Sequence, residues 1–199
     1  VRVIAFDVQQ DRLIYVCRSV GMSGATRLHS TGAVATFDEA EHVAGILGAG
    51  TVFIDCGYNM TTVLDECAKR GWIPLRGEDR RSYPEKTPEG KLVMVKHRWQ
   101  EVASASMGKV AVLFFASQGV QDDLAWLISG KGPSWTVSAN PPEQYLKAMK
   151  SHRKTKRTGV YRWDVTSKGV DDHEWDCESM LAVGMSAFDV IPQNEPETA

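Results

Sequence analysis

The chain has 199 residues, 43% of them hydrophobic and 24% charged, a composition that suits one globular domain with a sizeable core. Its formal net charge of -2 excludes an affinity for nucleic acid carried by the field of the whole chain, so any such affinity must come from a local basic patch. No apolar run approaches the roughly 18 residues needed to cross a bilayer, and no signal peptide is visible, so no membrane partner is expected.

Val1 to Gln9 reads as a strand, Arg12 to Val20 as its returning hairpin partner and Thr26 to Val34 as a third strand. Phe37, Ala40, Val43, Ala44 and Leu47 recur at helical spacing, and Gly48 and Gly50 close that helix. Thr51 to Asp55 is a short apolar strand. Asn59 is placed to cap a helix that runs through Arg70 and stops at Gly71. Trp72 to Leu75 suits another strand, and the charged, proline-bearing Gly77 to Gly90 an exposed, mobile loop. Strands are predicted at Lys91 to Trp99 and Val110 to Ala116, and helices at Val120 to Ser129 and Pro142 to about His152. A short strand at Tyr161 to Val165 and a last helix at Glu174 to Asp189 complete the order. Three hairpin-linked strands followed by alternating helices and strands predict the α/β class, a mixed central sheet with helices on both faces. No glycine-rich phosphate loop follows the first strand, which excludes a dinucleotide-binding fold. The four cysteines, Cys17, Cys56, Cys67 and Cys177, form no CxxC pair and no zinc-ligand spacing with the five histidines. They read as reduced, mostly buried thiols of a cytosolic protein. Trp99, Trp126, Trp135 and Trp163 read as core or strand-packing residues.

Two strands end alike, VIAFD at Asp7 and TVFID at Asp55. Parallel α/β sheets bind ligands outside the carboxyl ends of their strands, so neighbouring parallel strands would bring both acids into one crevice. A third acid, Asp176, lies on the stripe Asp176, Met180, Val183, Ala187 of the last helix, which is core-facing spacing. Each acid alone suits a turn or a helix cap. Together they predict a metal site, because convergent carboxylates repel one another until a cation binds between them. Hard divalent ions favour such oxygen ligands, and a pair of them can stabilise both oxygens of a phosphodiester displacement.

The stretches FDVQQDRLIYVC, VFIDCGYNMTTVLDECAKRGWIPLRG and HEWDCESMLAVGMSA resemble the nuclease domain of tailed-phage terminase large subunits, which cut concatemeric viral DNA and drive it into an empty capsid. The resemblance extends from Val1 to about Ala187. It implies an RNase H-like fold and an endonuclease that cleaves double-stranded DNA during viral genome packaging with two Mg²⁺ or Mn²⁺ ions. By that resemblance Asp7, Asp55 and Asp176 are the catalytic metal ligands, Asp7 bridging both ions. An acid soon after the first one, here Asp11, can assist the metals. So can one beside the last; that position holds Trp175, which leaves Asp172, His173 or Glu174. The implied partners are an ATPase motor domain, the small terminase subunit and the portal, with action in the host cytoplasm. The stretch from Asp55 to Asp176 is long for some branches, so the branch stays open. The motor's phosphate loop is not in this chain, which opens on Val1 inside a strand, as a nuclease half cut from a longer protein would.

Lys147 to Arg162 contains seven Lys/Arg and no acid. Lys147, Lys150, Arg153, Lys154, Lys156 and Arg157 are the candidate DNA contacts, with Arg80 and Arg81 of the long loop as a second surface. The competing reading of the strip is a solvated helix end and loop. His173 suits a proton shuttle, a metal-shell residue or a cap, and Asp171 with Glu174 has capping-box spacing. The nuclease domain is expected over 1–190, with a disordered tail over 191–199. Two other readings stay open: a junction-resolving or integrase-type nuclease on the same fold, and an inactive module that only grips DNA or docks on a portal.

Overall fold

A computed structural model describes residues 1–104, 106, 108–166 and 171–192. The opening strands are β1 (Arg2–Val8), β2 (Leu13–Val20) and β3 (Thr26–Val34), followed by α1 (Phe37–Ile46), β4 (Thr51–Asp55) and α2 (Met60–Arg70). Then come β5 (Ile73–Glu78), β6 (Tyr83–Lys86), β7 (Leu92–Val95), β8 (His97–Ser104), β9 (Gly108–Ala116) and α3 (Ser117–Ile128). The chain continues through β10 (Trp135–Thr136), α4 (Glu143–Ala148), β11 (His152–Arg157), β12 (Val160–Val165) and α5 (His173–Ala187).

Eight strands form one sheet in the order β10-β3-β2-β1-β4-β5-β9-β8. Its centre, β1, β4, β5 and β9, is parallel. The hairpin β1–β2–β3 extends it on one side and antiparallel β8 closes the other. The alternation of strand side chains sorts the core into two layers. Val3, Ala5, Phe53, Leu75 and Leu113 pack against α3, α4 and α5. Ile4, Phe6, Ile54, Val112 and Phe114 pack against α1 and α2 on the other face. The architecture is thus the predicted mixed α/β sheet with helices on both faces. Helix α5 lies close on the sheet: a Cβ at Gly184 would meet the Phe53 ring at 2.6 Å, so only glycine permits this approach. A buried ion pair also fixes α5, with Arg18 Nε donating to Glu178 Oε2 at 2.7 Å and Nη2 to Oε1 at 2.9 Å. Tyr145 and Trp135 donate to the same carboxylate.

Three stretches depart from the sequence reading. The loop expected over 77–90 holds the end of β5 and an antiparallel hairpin of β6 and β7, and the predicted strand at 91–99 is divided between β7 and β8. This segment is anchored by Tyr83, which is buried beneath the guanidinium groups of Arg80 and Arg98, 4.5 and 4.6 Å from its ring. The helix expected to reach His152 stops at Ala148, and the basic strip that follows is the hairpin β11–β12 rather than a helix end and loop. Its tight turn holds Thr158 and Gly159, both at positive φ, as a two-residue hairpin loop requires. The capping box expected of Asp171 and Glu174 does not form: Asp172 is the N-cap of α5, without a side-chain cap bond, and Asp171 faces Arg12 and His173. At the other end Ile191 is buried in the α5-side core, and 193–199 of the expected tail lie outside the described residues. All four cysteines are buried and free. Trp135 is buried, Trp126 and Trp163 pack partly buried on the core, and Trp99 lies exposed on the edge strand against Phe188.

Candidate active site

Strands β1 and β4 run side by side in parallel, Phe6 opposite Ile54, so the acids that follow those two residues sit together at the carboxyl end of the sheet. Asp7 shares its face with Val3 and Ala5, and Asp55 with Phe53, and this is the face that α5 covers. From α5 the Asp176, Met180, Val183 stripe points back at the sheet, with Met180 and Val183 in the core. Asp7, Asp55 and Asp176 therefore line one cavity of about 330 Å³. Asp79, exposed just past β5, lines it as well. Its other walls include Gly77, Phe115, Gln121 and Ser179.

Asp7 is buried and accepts hydrogen bonds at Oδ2 from Gln9 Nε2 and from His173 Nδ1, each at 2.7 Å. Ligand atoms of Asp7, His173 and Asp176 all lie within 4.8 Å of one another. Asp55 accepts at Oδ1 from the Gly57 N–H at 3.1 Å. The local electrostatics are those of crowded acids. Burial, reinforced by the charge of Asp7, pushes the Asp55 carboxyl up to about 6, against the Gly57 and Tyr58 amides and Arg76. Burial and the charges of Asp7, Asp172 and Asp55 raise Asp176 well above the usual carboxylate range, with His173 opposing. His173 is raised to about 9 by its hydrogen bond to Asp7, against burial, with the charges of Asp7, Asp171 and Asp172 adding to the rise. A donor set of carboxylate oxygens with one imidazole, each acid held partly out of water, suits a hard divalent cation. The ligand atoms close enough to share one cation are those of Asp7, His173 and Asp176, while Asp55 lines the same cavity.

The remaining candidates are scattered. Asp11 is exposed in the β1–β2 turn, outside the cavity lining. Asp172 faces His152 Nε2 at 3.6 Å. Glu174 is buried, its pKa raised by burial, and its Oε2 has no hydrogen-bond partner among the described residues. The basic residues are mostly paired with acids: Lys147 with Glu143 at 2.7 Å, Lys154 with Asp122 at 2.6 Å and Arg157 with Asp164 at 3.1 Å. Arg80 reaches Glu78 at 3.4 Å, and Arg81 pairs with Asp122. Lys150, Arg153 and Lys156 are exposed with no carboxylate partner among the described residues. Arg162 pairs with Asp79, which sets the β11–β12 hairpin beside the cavity.

Among solved structures, the chain is similar to the large terminase nuclease from thermophilic phage G20c: TM-score 0.53 and 13% identity over 94% of this chain and 81% of that one. The fold is RNase H-like. The RNase H-like chain also aligns with Thermus thermophilus RuvC in complex with a Holliday junction substrate, at TM-score 0.43 and 11% identity over 96% of this chain and 97% of that one. No protein-family model matches the sequence, and no curated protein matches it significantly.

Sequence reasoning overlooks four polar residues of the cavity lining: Asp79, Ser117, Gln121 and Ser179. Asp79 lies in a stretch that reads as loop. Gln121 and Ser179 are polar residues inside helices, and only the packing of α3 against α5 brings them to the cavity. Ser179 carries a readable signal, one helical turn beyond Asp176 on the same side of α5.

Proposed function

We propose that this chain is a divalent-metal-dependent endonuclease that hydrolyses phosphodiester bonds of double-stranded DNA, and that it serves viral genome packaging as the nuclease domain of a terminase large subunit. One observation carries the reading: Asp7, Asp55 and Asp176 come from two parallel strands and a covering helix to one cavity at the carboxyl end of an RNase H-like sheet. Asp7, Asp55 and Asp176 would hold Mg²⁺ or Mn²⁺, two ions in the full site. When bound, a cation held there would supply Lewis acidity toward a phosphodiester and water. The chain's own groups do the rest. Gln9 and His173 orient Asp7 through its Oδ2. The Gly57 amide turns Asp55 toward the cavity. Lys150, Arg153 and Lys156 offer unmatched positive charge to DNA phosphates on the neighbouring hairpin. The packaging role draws on the likeness to the phage G20c large terminase nuclease and on the quoted sequence motifs; it entails an ATPase motor domain, a small subunit and a portal as partners, and the infected host's cytoplasm as the place of action.

Incubation of the protein with supercoiled plasmid and Mn²⁺ tests the activity. Nicked and linear products that vanish with EDTA are expected. An intact plasmid across a titration of Mn²⁺ and of Mg²⁺ would instead favour a module that only grips DNA.

A further inference from the structure

The acids and the basic hairpin lie on separate parts of the fold, and the first turn of α3 joins them. Ser117, Gln118 and Gly119 open that helix directly after β9. Ser117 lines the cavity, and its Oγ donates to the Glu78 carbonyl at 3.0 Å, while the Gln118 N–H donates to the Arg80 carbonyl at 3.0 Å. Gly119 lets the two segments touch, since a Cβ there would meet the Arg81 carbonyl oxygen at 2.2 Å. The segment from Glu78 to Arg81, which carries the cavity residue Asp79, is thereby fixed to α3.

Gln118 then reaches the other way. It is buried, 7% exposed, and its side-chain amide bonds the backbone of β12 as a neighbouring strand would. Oε1 accepts from the Trp163 N–H at 2.7 Å, and Nε2 donates to the Trp163 carbonyl at 3.3 Å. The same Nε2 donates to Asp79 Oδ1 at 3.1 Å, and Asp79 Oδ2 accepts from Arg162 Nη2. Arg81 Nη1 donates to the Tyr161 carbonyl at 3.0 Å, and Asp122, one turn along α3, accepts from Trp163 Nε1 at 2.8 Å. Tyr161, Arg162 and Trp163 of β12 are thus all tied to the wall of the cavity. The Arg162–Asp79 pair is exposed and weak alone, so the buried Gln118 amide carries most of this joint.

We propose that Gln118, with Asp79 and Arg162, forms a set of positioning residues that holds the basic hairpin at one distance from Asp7, Asp55 and Asp176. DNA gripped by Arg153 and Lys156 of β11 then meets the cation site in line for cleavage. The set acts through β12 and needs no contact with the reacting phosphate. A phosphate misplaced by about 1 Å can cost about a hundredfold in rate, so a loosened joint lowers turnover and leaves the grip intact. The proposal rests on the nuclease reading above.

Four proteins test it: the wild type, Gln118→Leu, Arg162→Gln and Arg162→Lys. Affinity for a short duplex is read by fluorescence anisotropy in Ca²⁺, and the single-turnover cleavage rate in Mn²⁺. Gln118→Leu, close in volume, should bind within about twofold of the wild type and cut about tenfold more slowly. Hydrogen exchange at its Trp163 amide should quicken. Arg162→Gln should show the same split to a smaller degree, and Arg162→Lys, which keeps a cation for Asp79, should retain the wild-type rate. Wild-type rates in both Gln118→Leu and Arg162→Gln would overturn the positioning role and leave the nuclease reading standing. A loss of affinity equal to the loss of rate would overturn it too, because it marks direct contact with DNA. No cleavage by the wild type would overturn both readings. Arg162→Gln, at an exposed pair, decides even if Gln118→Leu fails to fold.

Discussion

The cavity and the β11–β12 hairpin carry opposite surpluses of charge, and the fold treats them differently. In the cavity Asp7, Asp55 and Asp176 face one histidine, and burial, reinforced by neighbouring acids, drives the carboxyl groups of Asp55 and Asp176 upward. On and around the hairpin most bases are met by acids: Lys154 and Arg81 by Asp122, Arg157 by Asp164, Arg162 by Asp79. Matched surface pairs are architecture and contribute little each, about 0–1 kcal/mol. Like charges left crowded in a partly buried cavity oppose folding, so their retention points to a ligand that relieves them. The difference separates residues that hold the fold from residues that wait for a partner.

The sharpest way to break this contrast is to remove the crowded acids one at a time. Asp7→Asn, Asp55→Asn and Asp176→Asn should each lower plasmid nicking in Mn²⁺ by about a thousandfold or more, a loss of roughly 4 kcal/mol in transition-state stabilisation. Circular dichroism should be unchanged, because none of the three supports the core by packing. A mutant that nicks at the wild-type rate leaves the metal site.

A matched pair in the interior provides the opposite test. Arg18 and Glu178 are fully buried, and Arg18 also donates to Thr26, Thr136 and Tyr145 while its guanidinium lies 4.1 Å from the centre of the Trp135 ring. Arg18→Ala leaves Glu178 charged and buried, so urea denaturation should record a loss of about 3–5 kcal/mol. Lys154→Ala, at the exposed pair with Asp122, should cost less than about 1 kcal/mol. Equal costs would mean that burial does not separate the two classes of pair.

The hairpin can be divided in the same way. Glu at Lys150, Arg153 and Lys156, the unmatched bases, should weaken DNA binding and flatten its salt dependence, by about 0.9 in logarithmic slope for each phosphate that is no longer neutralised. Glu at Lys147, Lys154 and Arg157, the matched bases, should change the slope less. Fluorescence anisotropy across a salt series measures both, and identical slopes would return the whole strip to solvated surface.

How much of the molecule is legible in the sequence follows from which forces wrote it. Strands β1 and β4 and the stripe on α5 are legible because each buries one face, and burial imposes a period on the residue types. Asp7, Asp55 and Asp176 stand out as acids breaking or ending those periods. Strand β11, HRKTKR, is not legible, because most of its side chains are exposed and the period that marks a half-buried strand is absent. Strand β6 hides behind Pro84 and its charged neighbours, and only the burial of Tyr83 beneath two arginines reveals why it is ordered. His173 has three readings in the sequence, since a helix-start histidine shows its partner only when α5 is docked against β1. Gln121 acquires a meaning only once two helices are placed together.

The smallest expected effect tests the crowding without a substrate. If the three carboxylates oppose one another in the metal-free protein, neutralising one should relieve the others. Asp176 is the best place, since burial and the charges of Asp7, Asp172 and Asp55 all disfavour its ionised form, with only His173 opposing. Asp176→Asn keeps the shape and removes that charge, so the metal-free mutant should melt at or slightly above the wild-type temperature. Added Mn²⁺ binds only the folded state and should stabilise the wild type by mass action, about 2.7 kcal/mol at a hundred times its dissociation constant. The mutant, with one ligand fewer, should gain much less. If Asp176 were instead a structural acid favoured by the N-terminal end of α5, its loss would lower the metal-free melting temperature, and Mn²⁺ would shift both proteins equally. Scanning calorimetry of both proteins, with EDTA and across a Mn²⁺ series, separates the two cases, and equal shifts would remove Asp176 from the cation site.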